Sequence, residues 1–131
     1  MTKAIGFIGL GVMGFPMAGH LSKQNKISVF NRTKTKSDIW SNTYNGKICN
    51  SPAELAKVSD VIILCVGNDN DVREIITGDQ GLLDNLKTES IIVDHTTTSA
   101  NLSKELEELL KSKDINYLDA PVSGGEAGAK S

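Results

Sequence analysis

The chain is poor in cysteine and proline and has no long apolar run, and each shortage closes off a class of answers. Cys49 and Cys65 are the only two thiols in 131 residues, they sit in separate apolar segments, and no Cys-x-x-Cys or Cys/His spacing suits zinc. A disulfide scaffold and a metal site are therefore not expected, and both thiols read as reduced residues of the core. No apolar stretch approaches the ~20 residues that a spanning helix needs. Met1-Thr2-Lys3 leads straight into a strand-like segment instead of a signal-peptide hydrophobic region. A cytoplasmic protein without membrane contact is the expectation. An excess of one charge is missing too: 14 basic against 16 acidic residues leave -2, with no general attraction to nucleic acid or anionic lipid.

What is present is an ordinary globular composition, 39% hydrophobic and 23% charged, at a length that fits one domain. Short apolar runs alternate with segments of helical period, and no Pro- or Gly-rich linker divides them. That alternation predicts an α/β unit with a parallel sheet. Six strands are expected: Ala4 to Ile8, Ile27 to Phe30, Lys47 to Cys49, Val61 to Val66, Ile91 to Val93 and Ile115 to Leu118. The runs VIILCV and IIVD are continuously apolar, as strands covered on both faces are. Among the helices, Ser51-Pro52-Ala53-Glu54 carries a cap serine, a proline at the first position and a glutamate three residues after the cap. Leu102, Leu106, Leu109 and Leu110 make an apolar stripe between Ser99 and Lys111. Further helices are expected from Thr33 to about Asn42 and from Asp69 to Thr77, closed by Gly78.

Gly9-Leu10-Gly11-Val12-Met13-Gly14 lies between the first strand and the first helix. In a β-turn-α unit the first glycine allows a tight turn, the second lets a diphosphate approach the backbone, and the third brings helix against strand. The helix N-terminus then faces the anion. These six residues are the expected cradle of a dinucleotide, and the architecture is a Rossmann-type doubly wound α/β sheet. Which dinucleotide depends on the tip of the second strand. An NAD site places Asp or Glu there for the ribose hydroxyls, and that carboxylate would repel a 2′-phosphate. Here the tip reads Asn31-Arg32-Thr33, with no carboxylate before Asp38. The forked donors of Arg32, helped by Thr33 and by nearby Lys34 and Lys36, suit a phosphate, so NADP is the expected cofactor.

Ligands of doubly wound sheets lie beyond the carboxyl ends of the strands. Beyond the fourth strand stand Cys65, Val66, Gly67 and Asn68, whose backbone could touch ribose or diphosphate; the same residues also read as a simple turn with Asp69 capping the next helix. Beyond the fifth stands His95-Thr96-Thr97-Thr98-Ser99, hydroxyls that suit a nicotinamide amide or a substrate carboxylate, or else a helix cap. His95 reads as a bystander, because its one carboxylate neighbour, Asp94, points to the other side of the strand. His20, inside the first helix, reads as structural.

The segment Asp119-Ala120-Pro121-Val122-Ser123-Gly124-Gly125-Glu126-Ala127-Gly128-Ala129, taken with GFIGLGVMGFPM, NRT and CVGNDNDV, resembles the β-hydroxyacid dehydrogenases over essentially the whole chain. That family includes 3-hydroxyisobutyrate dehydrogenase, tartronate semialdehyde reductase and the glyoxylate/succinic semialdehyde reductases. The resemblance implies reversible hydride transfer between a small 3-hydroxy acid, its semialdehyde and NAD or NADP. It places the substrate carboxylate on Ser123, Gly124 and Gly125, where glycine amides at a helix start would face an anion. It also places Thr96 and Thr97 by the nicotinamide.

Members of the family carry a catalytic lysine in a second, helical domain. No residue of this chain matches it, and Lys130 falls ahead of its place. The expectation is therefore a cofactor-binding domain, residues 1–131, of a longer and homo-oligomeric NADP-dependent oxidoreductase. Its second domain is absent from this chain, and this part alone is expected to be inactive. Two rivals are a nucleotide-binding or scaffolding module without chemistry, and an imine reductase, whose substrate segment would not read DAPVSGG.

Overall fold

A computed structural model of the chain describes residues 4–96 and 99–120. The elements run β1 (Ala4–Ile8), α1 (Gly14–Ser22), β2 (Lys26–Phe30), α2 (Lys34–Thr43), β3 (Lys47–Ile48), α3 (Pro52–Lys57), β4 (Val61–Leu64), α4 (Asp69–Thr77), β5 (Ile91–Asp94), α5 (Ala100–Lys111) and β6 (Asn116–Asp119). The strands form one sheet in the order β3-β2-β1-β4-β5-β6, and every neighbouring pair is parallel. Strand order thus reverses between β1 and β4, and the crevice expected to receive a ligand opens there.

Successive side chains of a strand point to opposite faces, and the buried residues sort accordingly. Phe7 and Ile63 join Ala18, Val29 and Trp40 in a core with α1 and α2. Ile8, Ile62 and Leu64 join Leu55, Val72, Ile76, Leu102, Leu106 and Leu110 in a second core with α3, α4 and α5. The sheet is covered on both faces, which accounts for the unbroken apolar runs.

Local chemistry sets the helix starts. Ser51 Oγ accepts from the Glu54 amide (3.1 Å) as expected, while Glu54 Oε2 accepts from the amide of Asn50, the residue before the cap (3.0 Å), so α3 starts on a variant of the expected capping box. Ser99 Oγ accepts from Leu102 N at the head of α5. For α4 the cap is Asn68, whose Oδ1 accepts from Asp71 N at 3.0 Å, and not Asp69. Asp69 instead reaches across to accept from the Ser99 amide (2.9 Å), a partner 30 residues away that local spacing does not reveal. Thr33 stands at the N-cap position of α2 but makes no side-chain cap bond.

Strand ends differ from expectation by one or two residues. The ladder of β4 stops at Leu64, where its register partners are Ile8 and Asp94. Beyond that point β1 turns away at Gly9 (φ +105°), so Cys65 and Val66 pass out of the sheet toward its carboxyl edge. Cys49 is buried as expected, whereas Cys65 is only half-buried.

Candidate functional site

At the carboxyl edge, where β1 and β4 part, lies a cleft of about 540 Å³. Its walls include Gly9, Gly11, Val12, Met13 and Gly14 from the glycine turn, Asn31 and Arg32 from the tip of β2, and Cys65, Val66 and Gly67 from the tip of β4. Three segments that are well separated in sequence, each singled out by its chemistry, meet in one concavity of a size usual for small-molecule sites.

The three glycines of the turn do different things. Gly9 has φ +105°, and a Cβ there would lie 2.1 Å from the Cys65 carbonyl oxygen; at Gly14 it would lie 1.8 Å from the carbonyl oxygen of Gly9. Both are required by the fold itself. A Cβ on Gly11 would meet nothing within 4 Å. Side-chain-free backbone at that point serves no packing need, so Gly11 leaves room for something from outside. Phe15 N donates to the Gly11 carbonyl (3.0 Å) and Met17 N to the Met13 carbonyl (3.3 Å), while Pro16 has no N–H, so α1 winds directly out of the turn and the amides left to face the cleft are those of the glycine turn ahead of it.

The turn is anchored from β2. Asn31 Oδ1 accepts from the Leu10 amide (2.8 Å), and Asn31 Nδ2 donates to the Thr33 carbonyl (3.0 Å). Asn31 therefore fixes both the glycine turn and the residue that follows Arg32. Leu10 itself is buried in the core. Arg32 projects into solvent at the cleft mouth, 82% exposed, with Nη1 3.4 Å from Asp71 Oδ1. An exposed pair of that length contributes little to stability.

Behind the β4 tip lies a buried polar network. Thr96, 3% exposed, accepts from the Val66 amide through Oγ1 (2.9 Å). Its own amide donates to Asp94 Oδ1 (2.9 Å), and Tyr117 Oη donates to Asp94 Oδ2 (2.8 Å). The Thr96 side chain thus holds the wall of the cleft and does not line it. Burial raises the Asp94 carboxyl above the ordinary carboxylate range, against the bonds from Tyr117 and Thr96 that favour the ionised form. Burial, then the neighbouring Asp94, pushes Tyr117 up as well. The Cys65 thiol rises for the same two reasons in the same order.

His95 Nδ1 lies 2.6 Å from the Ala120 carbonyl oxygen, a backbone contact that ties β5 to the end of β6. His20 is exposed on α1. Thr33 and Asn68 flank the cleft without lining it. Thr97, Ser123, Gly124 and Gly125 lie outside the described residues, as does Lys130. Among the described residues no group of three or more His, Cys, Asp or Glu could hold a metal ion, and no helix is long and apolar enough to cross a membrane.

Sequence reasoning did not find Pro52, Asp71, Glu74, Ile75 and Asp79, which complete the cleft wall on the side of α3 and α4. The only signal was α4 following the β4 tip directly; that its first turn swings across to Arg32 is a property of the fold.

Residues 4–131 match the family model of the NAD binding domain of 6-phosphogluconate dehydrogenase, and the chain belongs to that family. An uncharacterized oxidoreductase of Shewanella frigidimarina is 46% identical over 96% of this chain and 44% of its own length. The 3-hydroxyisobutyrate dehydrogenase of Mycobacterium tuberculosis, solved with L-serine, superposes with a TM-score of 0.90 at 29% identity, over 99% of this chain and 44% of that one. A protein solved in complex with NADP+ and 2-OPP superposes at 0.89 with 29% identity, over 96% of this chain and 45% of its own. The chain therefore spans under half the length of these relatives. The six-stranded parallel sheet and the dehydrogenase kinship agree with what the sequence motifs imply.

Proposed function

We propose that the chain is the NADP(H)-binding part of an oxidoreductase that interconverts a small 3-hydroxy acid and its semialdehyde. The observation that carries this reading is Gly11: between two glycines locked by their own fold stands one whose missing side chain opens only on the cleft. A diphosphate is the group that such a cradle fits, because main-chain amides and the start of α1 would face its charge. Arg32, beside a strand tip without a carboxylate, would hold the 2′-phosphate, with the Thr33 hydroxyl near it. Cys65, Val66 and Gly67 would border the ribose side, on a wall stiffened by Thr96. When bound, the nicotinamide supplies the hydride chemistry.

The same reading assigns the substrate carboxylate to Ser123, Gly124 and Gly125, with Thr97 by the nicotinamide. It makes the whole protein a cytoplasmic homo-oligomer whose further domain supplies the proton-transfer residue. Support comes from the motifs quoted above and from kinship with a 3-hydroxyisobutyrate dehydrogenase and a protein solved with NADP+.

Fluorescence titration of the chain with NADPH and NADH, repeated on Arg32→Ala, tests it. The unsubstituted chain should favour NADPH, and Arg32→Ala should weaken NADPH alone, by about 10- to 100-fold, the worth of a charge-assisted contact. Equal affinity for the two cofactors before substitution would defeat the 2′-phosphate assignment.

A further inference from the structure

The carboxylate missing from the tip of β2 is present in the cleft from another direction. Asp71, in the first turn of α4, lines the same cleft as Arg32 and lies 3.4 Å from its guanidinium. The two members of the pair are not equally free. The Asp71 backbone is held by the Asn68 cap, its side chain is 23% exposed, and its second oxygen lies over Gly67, where a Cβ would come within 2.9 Å of Oδ2. The Arg32 side chain is 82% exposed. The acid is the fixed member and the arginine the movable one.

We propose that Asp71 is a specificity-determining residue, a fixed carboxylate that offsets the charge of Arg32 and holds down the preference for a 2′-phosphate over a 2′-hydroxyl. The inference rests on the reading of Arg32 as the phosphate partner. A phosphate entering beside Arg32 meets the attraction of the guanidinium and the repulsion of the carboxylate together, because both line one cleft 3.4 Å apart. A ribose hydroxyl meets no such repulsion. Discrimination between two cofactors is a difference of affinities, so an opposing charge narrows it without abolishing binding. Solvent at the cleft mouth keeps the effect moderate.

The experiment compares the unsubstituted chain with Asp71→Asn and Asp71→Ser by titrating NADPH and NADH at two salt concentrations, with thermal unfolding as the check on folding. Both variants should bind NADPH roughly 3- to 10-fold tighter and NADH within about twofold of the parent, and the gain should shrink at high salt. NADPH affinity unchanged or weakened in both variants, with the parent still preferring NADPH, would overturn the role of Asp71 alone. A weakened result would make the acid a clamp that orients Arg32. A parent chain that binds neither cofactor, or both equally, would remove the phosphate site and this inference with it.

Discussion

The side-chain oxygen of Asn31 accepts the Leu10 amide at 2.8 Å, so the tip of β2 holds the glycine turn that follows β1. Asn31→Ala leaves that amide without its partner in a residue that is almost fully buried, a loss of about 1–3 kcal/mol in urea unfolding. Asn31→Asp keeps the acceptor but gives up the donor to the Thr33 carbonyl and sets a negative charge beside Arg32. It should stay closer to the parent in stability while losing NADPH affinity and sparing NADH, read by the same titration.

Asp94 makes stability depend on pH in a definite direction. Its carboxyl is raised in the folded chain by burial, so the folded state keeps the proton above the ordinary carboxylate range of about 3.9. The stability it contributes is full below that ordinary value and is lost as pH rises through the folded one. Asp94→Asn keeps an oxygen for the Thr96 amide and presents its NH2 to the Tyr117 oxygen, and it cannot titrate. The gap in unfolding free energy between parent and variant should therefore move in the variant's favour as pH rises above about 4. A gap constant with pH would contradict the assignment.

Cys65 lines the cleft, yet its thiol is raised by burial and by the charge of Asp94, so little thiolate forms at neutral pH. Alkylation followed by mass spectrometry should be slow near pH 7 and accelerate with pH. NADPH should protect Cys65 in particular, because Cys49 lies in the core away from the cleft.

Gly9 and Gly14 are fixed by contacts within the chain. Gly9→Ala forces a side chain onto a positive φ and against the Cys65 carbonyl, and Gly14→Ala drives a methyl into the carbonyl of Gly9. Each should cost about 2–5 kcal/mol in chemical denaturation, from strain and overpacking together.

Much of this was legible beforehand where the cause is local. The glycine spacing, the Ser51-Pro52-Glu54 start of α3 and the Leu102, Leu106 and Leu110 stripe each announce a structure that a few neighbouring residues determine. The misreadings have long-range causes. Asn68 and Asp69 are both good caps, and the choice between them is settled by Ser99, thirty residues on. Thr96 carries a hydroxyl at a strand tip, as a ligand residue would, but the Val66 amide from the neighbouring strand claims it. Cys65 lines the cleft as its place at the strand tip implies, but its unbroken apolar run also makes it read as a core thiol, and the departure of β1 at Gly9 leaves it only half-buried. Asp71 sits unremarked in a polar helix start until the fold lays it beside Arg32.

The central claim is that a diphosphate rests on the main chain at Gly11, and Gly11→Ala tests it most directly. With nothing within 4 Å of the added methyl, the variant should unfold within about 1 kcal/mol of the parent. Calorimetric or fluorescence titration should nevertheless show NADPH and NADH both weakened by at least about tenfold, since the methyl stands where the diphosphate must approach. A folded Gly11→Ala chain that binds both cofactors as the parent does would contradict the account.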